Sequence, residues 1–254
     1  MKEKCNRVGF LQQPVVSGEI ETNVASLKKA LEKAAPVRET MLLLPELWAS
    51  GFCHESMDEV AAETPSLLQQ TAELAARYGI VLAGTFAEVA GEKFYNNFYL
   101  CSEAGVAGPS SKQHIFPGEE RSFVQGAEPP QLIQAGGLQV GGFICFDLRF
   151  PEVERSLAAQ GADLLLCSAQ WPEMRIDHWL ALLKARAIEN QIFLVACNGC
   201  YESGGVVLGG NSVVISPFGE ILAQGGVGQE SASVTLIWSE MADMRSRYTS
   251  WRVG

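Results

Sequence analysis

Long apolar runs are missing from this sequence. The longest, such as Ile192–Cys197, have the length of a strand, so no segment is expected to cross a membrane as a helix. Basic residues are scarce: 19 against 29 acidic ones, a formal net charge of -10, with no local basic patch. Such a surface repels polyanions and argues against nucleic acid as a partner. The opening MKEKCNRVGF carries basic residues without the apolar core of an export signal, so a cytoplasmic chain is expected. Only three histidines occur, His54, His114 and His178, at no recognisable ligand spacing. No second cysteine pair accompanies Cys197 and Cys200, and neither a metal nor an organic cofactor is expected. Repeats and low-complexity linkers are absent as well, which favours one domain over residues 1–254.

What is present suits a folded α/β protein. Apolar residues make up 47% and charged residues 19%, enough for a core and unlike a disordered chain. The seven cysteines form an odd set in a chain large enough to fold without staples, so reduced thiols are expected, one of them free to react. Cys197 and Cys200 have CxxC spacing but close the apolar run IFLVAC, whereas a redox pair usually opens a helix; buried cysteines are the preferred reading.

Strand and helix patterns alternate and then give way to strands. Val8–Leu11, Met41–Leu44, Ile80–Phe86, Phe94–Cys101, Leu138–Ile144, Asp163–Cys167 and Gln191–Cys197 read as strands. Helices are expected after the caps Thr22 or Asn23, from Thr64-Pro65 to Gly79, from Pro151 to about Gln160, and over Asp177–Asn190. In the last of these Leu180, Leu183, Ala187 and Ile188 line one side, with Asp177 as cap. From Val206 onward the pattern predicts strands only, around Val206–Ser216, Glu220–Ala223 and Ala232–Trp238. Two packed sheets with helices outside satisfy both halves of this pattern, and one larger mixed sheet remains an alternative.

Three polar residues occupy positions a soluble fold rarely gives them without a reason, two at the ends of apolar runs and Lys112 between strand-like segments. Glu46 follows MLLLP, Lys112 lies in SSKQHIF, and Cys145 closes VGGFIC before the chain turns toward a helix. Sites in α/β sheets gather at such strand ends, and a cysteine exposed on a tight turn has backbone N–H groups at hand for an oxyanion. Each residue also has a plainer reading: Cys145 as packing, Glu46 as a local cap, Lys112 as a solvated surface group, Asp147 and Arg149 as a mutual ion pair.

The motifs PELW at 45–48, SKQHIF at 111–116 and CFDLRFPE at 145–152 resemble, in order and separation, the three signature regions of the nitrilase superfamily, the carbon–nitrogen hydrolases. WPEMRIDHWLALLKARAIENQ at 171–191 and GGNSVVISPFGEIL at 209–222 resemble its later blocks, so the likeness spans nearly the whole chain. Within the superfamily the omega-amidases are most similar, enzymes that deamidate 2-oxoglutaramate and 2-oxosuccinamate. The resemblance implies a four-layer α-β-β-α sandwich with two mixed sheets, a homodimer, and no cofactor. It implies Glu46 as general base, Lys112 as the lysine and Cys145 as nucleophile. Counting back seven residues from Gly126 selects Glu119 as the second glutamate, beside Glu120. One departure touches the subclass: Ser110 and Ser111 stand where the family often has an aromatic and a basic residue.

The implied reaction converts an amide and water into a carboxylate and ammonia through a thioester. Lys112 and the Phe146 backbone N–H are the expected oxyanion donors. Arg175, then Arg149, are the candidates for holding a substrate carboxylate, with Trp171 and Phe116 as pocket walls; structural ion pairs and ordinary core aromatics are the competing readings. Deaminated-glutathione amidase, N-carbamoyl amino-acid hydrolase, broad aliphatic amidase and an inactive binding protein are the alternatives.

Overall fold

Apolar runs bounded by turn residues become the inner strands of two sheets. The computed structural model describes residues 5–249 and Trp251; residues 1–4, and the part of RSRYTSWRVG at 250 and 252–254, lie outside the described residues. The first half of the chain forms β1 Arg7–Gln12, α1 Ile20–Ala34, β2 Thr40–Leu43, α2 Met57–Tyr78, β3 Val81–Ala90, β4 Lys93–Ser102 and β5 Gly105–Ser111. The second forms β6 Leu132–Ala135, β7 Leu138–Ile144, α3 Pro151–Ala159, β8 Leu164–Ala169, α4 Ile176–Asn190 and β9 Phe193–Asn198. β10 Cys200–Ser203, β11 Val206–Gly209, β12 Val213–Ile215, β13 Ile221–Gln224, β14 Glu230–Thr235 and α5 Trp238–Arg247 complete it.

Two six-stranded sheets result, ordered β14-β1-β2-β3-β4-β5 and β13-β12-β9-β8-β7-β6, with β10 and β11 as a separate hairpin. Each has a parallel centre, β1-β2-β3 and β7-β8-β9, flanked by antiparallel strands. Strand alternation sorts the first sheet's side chains into two layers. Phe10, Leu43, Ala83 and Phe98 join the core shared with the second sheet, whereas Leu11, Leu42, Leu44 and Leu82 pack with Leu27 and Leu31 of α1 and Leu67 and Ala75 of α2. On the far side, Leu157 of α3 and Leu183 and Ala187 of α4 belong to the shared cluster. The architecture is the expected α-β-β-α sandwich of two mixed sheets. Gly142 permits the close approach of its layers, since a Cβ there would lie 2.4 Å from the Phe98 ring.

The structure departs from several expectations. α1 begins at Ile20, and Asn23 serves the fold differently: its side chain bonds both backbone groups of Val16 and the Ala49 carbonyl. α2 begins at Met57 and runs through Pro65, and Thr64, expected to cap it, instead points its hydroxyl at the Ala87 carbonyl of β3, 2.6 Å away. Asp177 lies inside α4, which has no side-chain cap, and Ile188 is 47% exposed. The last predicted strand stops at Thr235 and is followed by α5, where a strand-only end was expected.

The parallel strands direct their C-terminal ends to one region. There the sheets are joined: Ser168 Oγ donates to the Leu44 carbonyl at 2.7 Å, and the Glu46 amide donates to the Ala169 carbonyl at 3.3 Å.

Candidate active site

Glu46 leaves the end of β2 through Pro45, and the next residue, Leu47, takes a left-handed conformation with φ 44°. The Leu47 amide donates to Thr85 Oγ1 at 2.6 Å, which fixes this turn against β3. The Glu46 side chain is fully buried. Its Oε1 accepts from Lys112 Nζ at 2.7 Å and from Asn96 Nδ2 at 2.8 Å, and its Oε2 accepts from the Gln170 amide at 3.1 Å. The carboxylate therefore replaces its lost water with three donors.

Lys112 follows β5 and is also fully buried, its amide bonded to the Asn96 carbonyl at 2.9 Å. Besides Glu46, its ammonium donates to Glu119 at 2.8 and 3.1 Å. Of the two adjacent glutamates, Glu119 is buried against Lys112 while Glu120 is exposed and accepts from the Gly118 amide. An ammonium has three N–H donors. Here they meet three oxygens, Glu46 Oε1 and both oxygens of Glu119, and the longer Glu119 contact at 3.1 Å is the one a further oxygen would replace.

Cys145 follows β7 with φ 46° and opens a 3-10 turn, Cys145–Arg149. A non-glycine residue in this region carries strain of roughly 1–3 kcal/mol, held here by the surrounding bonds. Asp147 supplies them. Its carboxylate accepts from the amides of Ile144 at 3.0 Å, Gln113 at 3.1 Å and His114 at 2.8 Å, and so ties the cysteine turn to the strand end bearing Lys112. The plainer alternative, a mutual Asp147–Arg149 ion pair, is not found among the described residues. The thiol, only 8% exposed where a more open position was expected, lies 4.0 Å from the Gln170 carbonyl. Since the Gln170 amide binds Glu46, thiol and carboxylate flank the same residue's backbone.

Burial drives the electrostatics of this cluster. It pushes the Cys145 thiol well up; the Glu46 charge adds to that rise and the Lys112 ammonium opposes it. For Lys112, burial alone would lower the value, but Glu46 and Glu119 together hold it above the ordinary lysine range. Burial raises the Glu119 carboxyl despite the pull of Lys112. The structure thus holds a protonated thiol beside a permanent ammonium.

A pocket of about 260 Å³ opens over Cys145 and Glu119. Phe146, Phe116 and Trp171 contribute aromatic walls, with the Phe116 and Phe146 rings edge-to-face at 5.2 Å. Arg149 lies over Trp171 at 4.8 Å and Arg175 over Phe116 at 6.0 Å, while Trp171 Nε1 donates to the Arg175 carbonyl. Arg149 also approaches His178 Nδ1 at 3.4 Å. Neither arginine has a carboxylate within ion-pair reach among the described residues, nor has Arg121 at the same pocket. Sequence reasoning missed Asn96, Gln170, Arg121 and His54 here. Asn96 and Gln170 join the site only when β4 is placed next to β3 in the first sheet and β8 of the second sheet is packed against β2, and no motif marks them. Elsewhere, Cys197 and Cys200 are free and buried, with thiols raised by burial, Cys200 to about 12, which does not suit a redox pair.

Residues 7–246 match the model of the carbon–nitrogen hydrolase family. The chain belongs to that family. Its nitrilase-superfamily chemistry is that of a cysteine-dependent amidase acting on small carbon–nitrogen compounds. Among relatives, a 2-oxoglutaramate amidase of Bacillus subtilis (strain 168) is 32% identical over 245 residues, 94% of this chain and 93% of that protein. An omega-amidase of Escherichia coli (strain K12) is 30% identical over 97% of this chain and 95% of its own. Among solved structures, an amidase from Nesterenkonia sp. AN1, a mutant with acrylamide added at the active-site cysteine, superposes with a TM-score of 0.82 at 28% identity. That match covers 95% of this chain and 97% of the other.

Proposed function

We propose that this carbon–nitrogen hydrolase cleaves the amide of a small carboxylate-bearing substrate, 2-oxoglutaramate or 2-oxosuccinamate, and releases ammonia. One observation carries the reading: a buried carboxylate–ammonium–carboxylate cluster beside a thiol, in a pocket where Arg149 and Arg175 have no carboxylate within ion-pair reach among the described residues. The two relatives named for amidase activity of this type support it.

Glu46 takes the Cys145 proton, and the sulfur attacks the amide carbon. Negative charge that gathers on the carbonyl oxygen meets the Lys112 N–H that gives up its longer Glu119 contact and the Phe146 backbone N–H, contacts that strengthen toward the transition state. The C–N bond breaks as Glu46 returns the proton to nitrogen, leaving a thioester and ammonia. Glu46 then draws a proton from water, the hydroxyl oxygen attacks the thioester, and the carboxylate product leaves with the thiol restored. Glu119 positions Lys112 throughout. Arg175 and Arg149 hold the distal carboxylate between Phe116 and Trp171.

An ammonia-release screen tests the substrate. Release from 2-oxoglutaramate should exceed release from simple aliphatic amides, nitriles, carbamoyl amino acids and deaminated glutathione. A higher rate with any of these assigns the chain to that branch instead. We further propose a cytoplasmic homodimer. Seven unpaired thiols suit a reducing compartment, and cell fractionation checks it. For the dimer, Ile188 packs against the turn at Gly219 next to exposed Phe218, Ile221 and Leu222, an apolar surface that a second copy would cover.

A further inference from the structure

A second set of polar groups lines the pocket, apart from Arg149 and Arg175. His54 comes from the loop that follows Glu46, and its Nδ1 lies 2.8 Å from Ser122 Oγ. The Ser122 and Phe123 amides both donate to the Glu119 carbonyl, at 2.9 and 2.8 Å, so the partner of His54 belongs to the turn that carries Glu119. Rings of Phe52 and Phe123 stand 6.1 and 6.4 Å from the imidazole and hold its plane. Among the described residues Nε2 has no partner. Burial and then the Arg121 charge lower the His54 value, which keeps the ring neutral near neutrality. Phe52 also lies 5.8 Å from Lys112 Nζ, so this wall adjoins the ammonium. Arg149 and Arg175, by contrast, are stacked on Trp171 and Phe116.

We propose that His54 and Arg121 form a second acceptor subsite, which holds a substrate carbonyl oxygen in addition to the distal carboxylate. The ligand class is therefore an omega-amide of a 2-oxo acid. This rests on the reading of the pocket as an amidase site for carboxylate-bearing substrates. In the tautomer in which Nδ1 accepts from the Ser122 hydroxyl, Nε2 carries the ring proton and donates to the 2-oxo oxygen, with the guanidinium of Arg121, which lines the same pocket, as second donor. The half-buried imidazole donor prefers a substrate that satisfies it, because a donor left without an acceptor once substrate displaces its water is costly. Arg121 is exposed and its charge also acts on Glu120, so it adds electrostatic pull on the same oxygen.

The test compares kcat/KM for 2-oxoglutaramate and for glutaramate, which is the same acid amide without the oxo oxygen. Wild type should favour the oxo compound. His54→Leu and Arg121→Gln should each reduce that ratio by about tenfold or more, as expected for loss of one hydrogen bond. His54→Gln, which keeps an N–H donor, should restore part of it. A structural role for either residue would lower both substrates together, and an unchanged ratio overturns the subsite. Equal use of both acids by wild type overturns the subsite alone. Preference of wild type for simple aliphatic amides overturns the carboxylate reading and the subsite with it.

Discussion

Cys145 sits between two opposing charges, and their effects on it can be separated. The Glu46 charge raises the thiol and the Lys112 ammonium lowers it, on top of the dominant rise from burial. Glu46→Gln therefore moves the apparent thiol pKa down, because a charge that opposes the thiolate is gone. The same change removes the proton acceptor and should cost about 10²–10⁴ in amide turnover. The pH dependence of Cys145 alkylation by iodoacetamide reads the first effect and ammonia release the second. An alkylation profile displaced to higher pH would contradict this account. At this scale Glu46 and Cys145 were legible because each closes an apolar run, where a polar residue needs a reason, and Lys112 through the motif SKQHIF between strand-like segments. His54, Arg121, Asn96 and Gln170 carry no such mark; only the folded sheets bring them to the site.

Elements hold the cysteine turn from outside the pocket. Arg186 of α4 donates to the Leu148 carbonyl at 2.8 Å and pairs with buried Glu154 of α3 at 3.3 Å and with Glu189 at 3.1 Å. Its planar fork makes these contacts together, which a lysine cannot reproduce. Arg186→Lys should destabilise the fold by about 3 kcal/mol, as broken buried pairs do. Chemical denaturation measures it, and a change within experimental error would show that the fork is dispensable. Elements with strong local signals were readable in advance: β7 has the expected ends, and Pro151 opens α3 because its missing N–H is not needed there. β5, with the sequence GVAGPSS, has no strand pattern and is held by pairing with β4. α5 buries only Met241, so its apolar stripe was too weak to read. α2 extends two turns before Pro65, where Met57, Val60 and Ala61 bury themselves against Leu47, Phe94 and Phe123, contacts between elements apart in sequence.

At the level of the whole molecule, the two sheets matter because they bring the ends of β2, β5, β7 and β8 together. No helix among the described residues is long and apolar enough to cross a membrane. The exposed surface around Ile188 and Phe218 should be covered by a second copy. Sedimentation velocity is expected to give twice the chain mass, and Ile188→Glu should shift the species toward the single chain; a single-chain mass for the unaltered protein would refute the dimer. The central claim, that an acyl group passes through Cys145, is tested most directly by intact-protein and peptide mass spectrometry of a rapidly quenched 2-oxoglutaramate reaction. The account predicts an acyl adduct on the peptide bearing Cys145, absent from Cys145→Ala, whose turnover falls by several orders of magnitude. Full ammonia release by Cys145→Ala would contradict it.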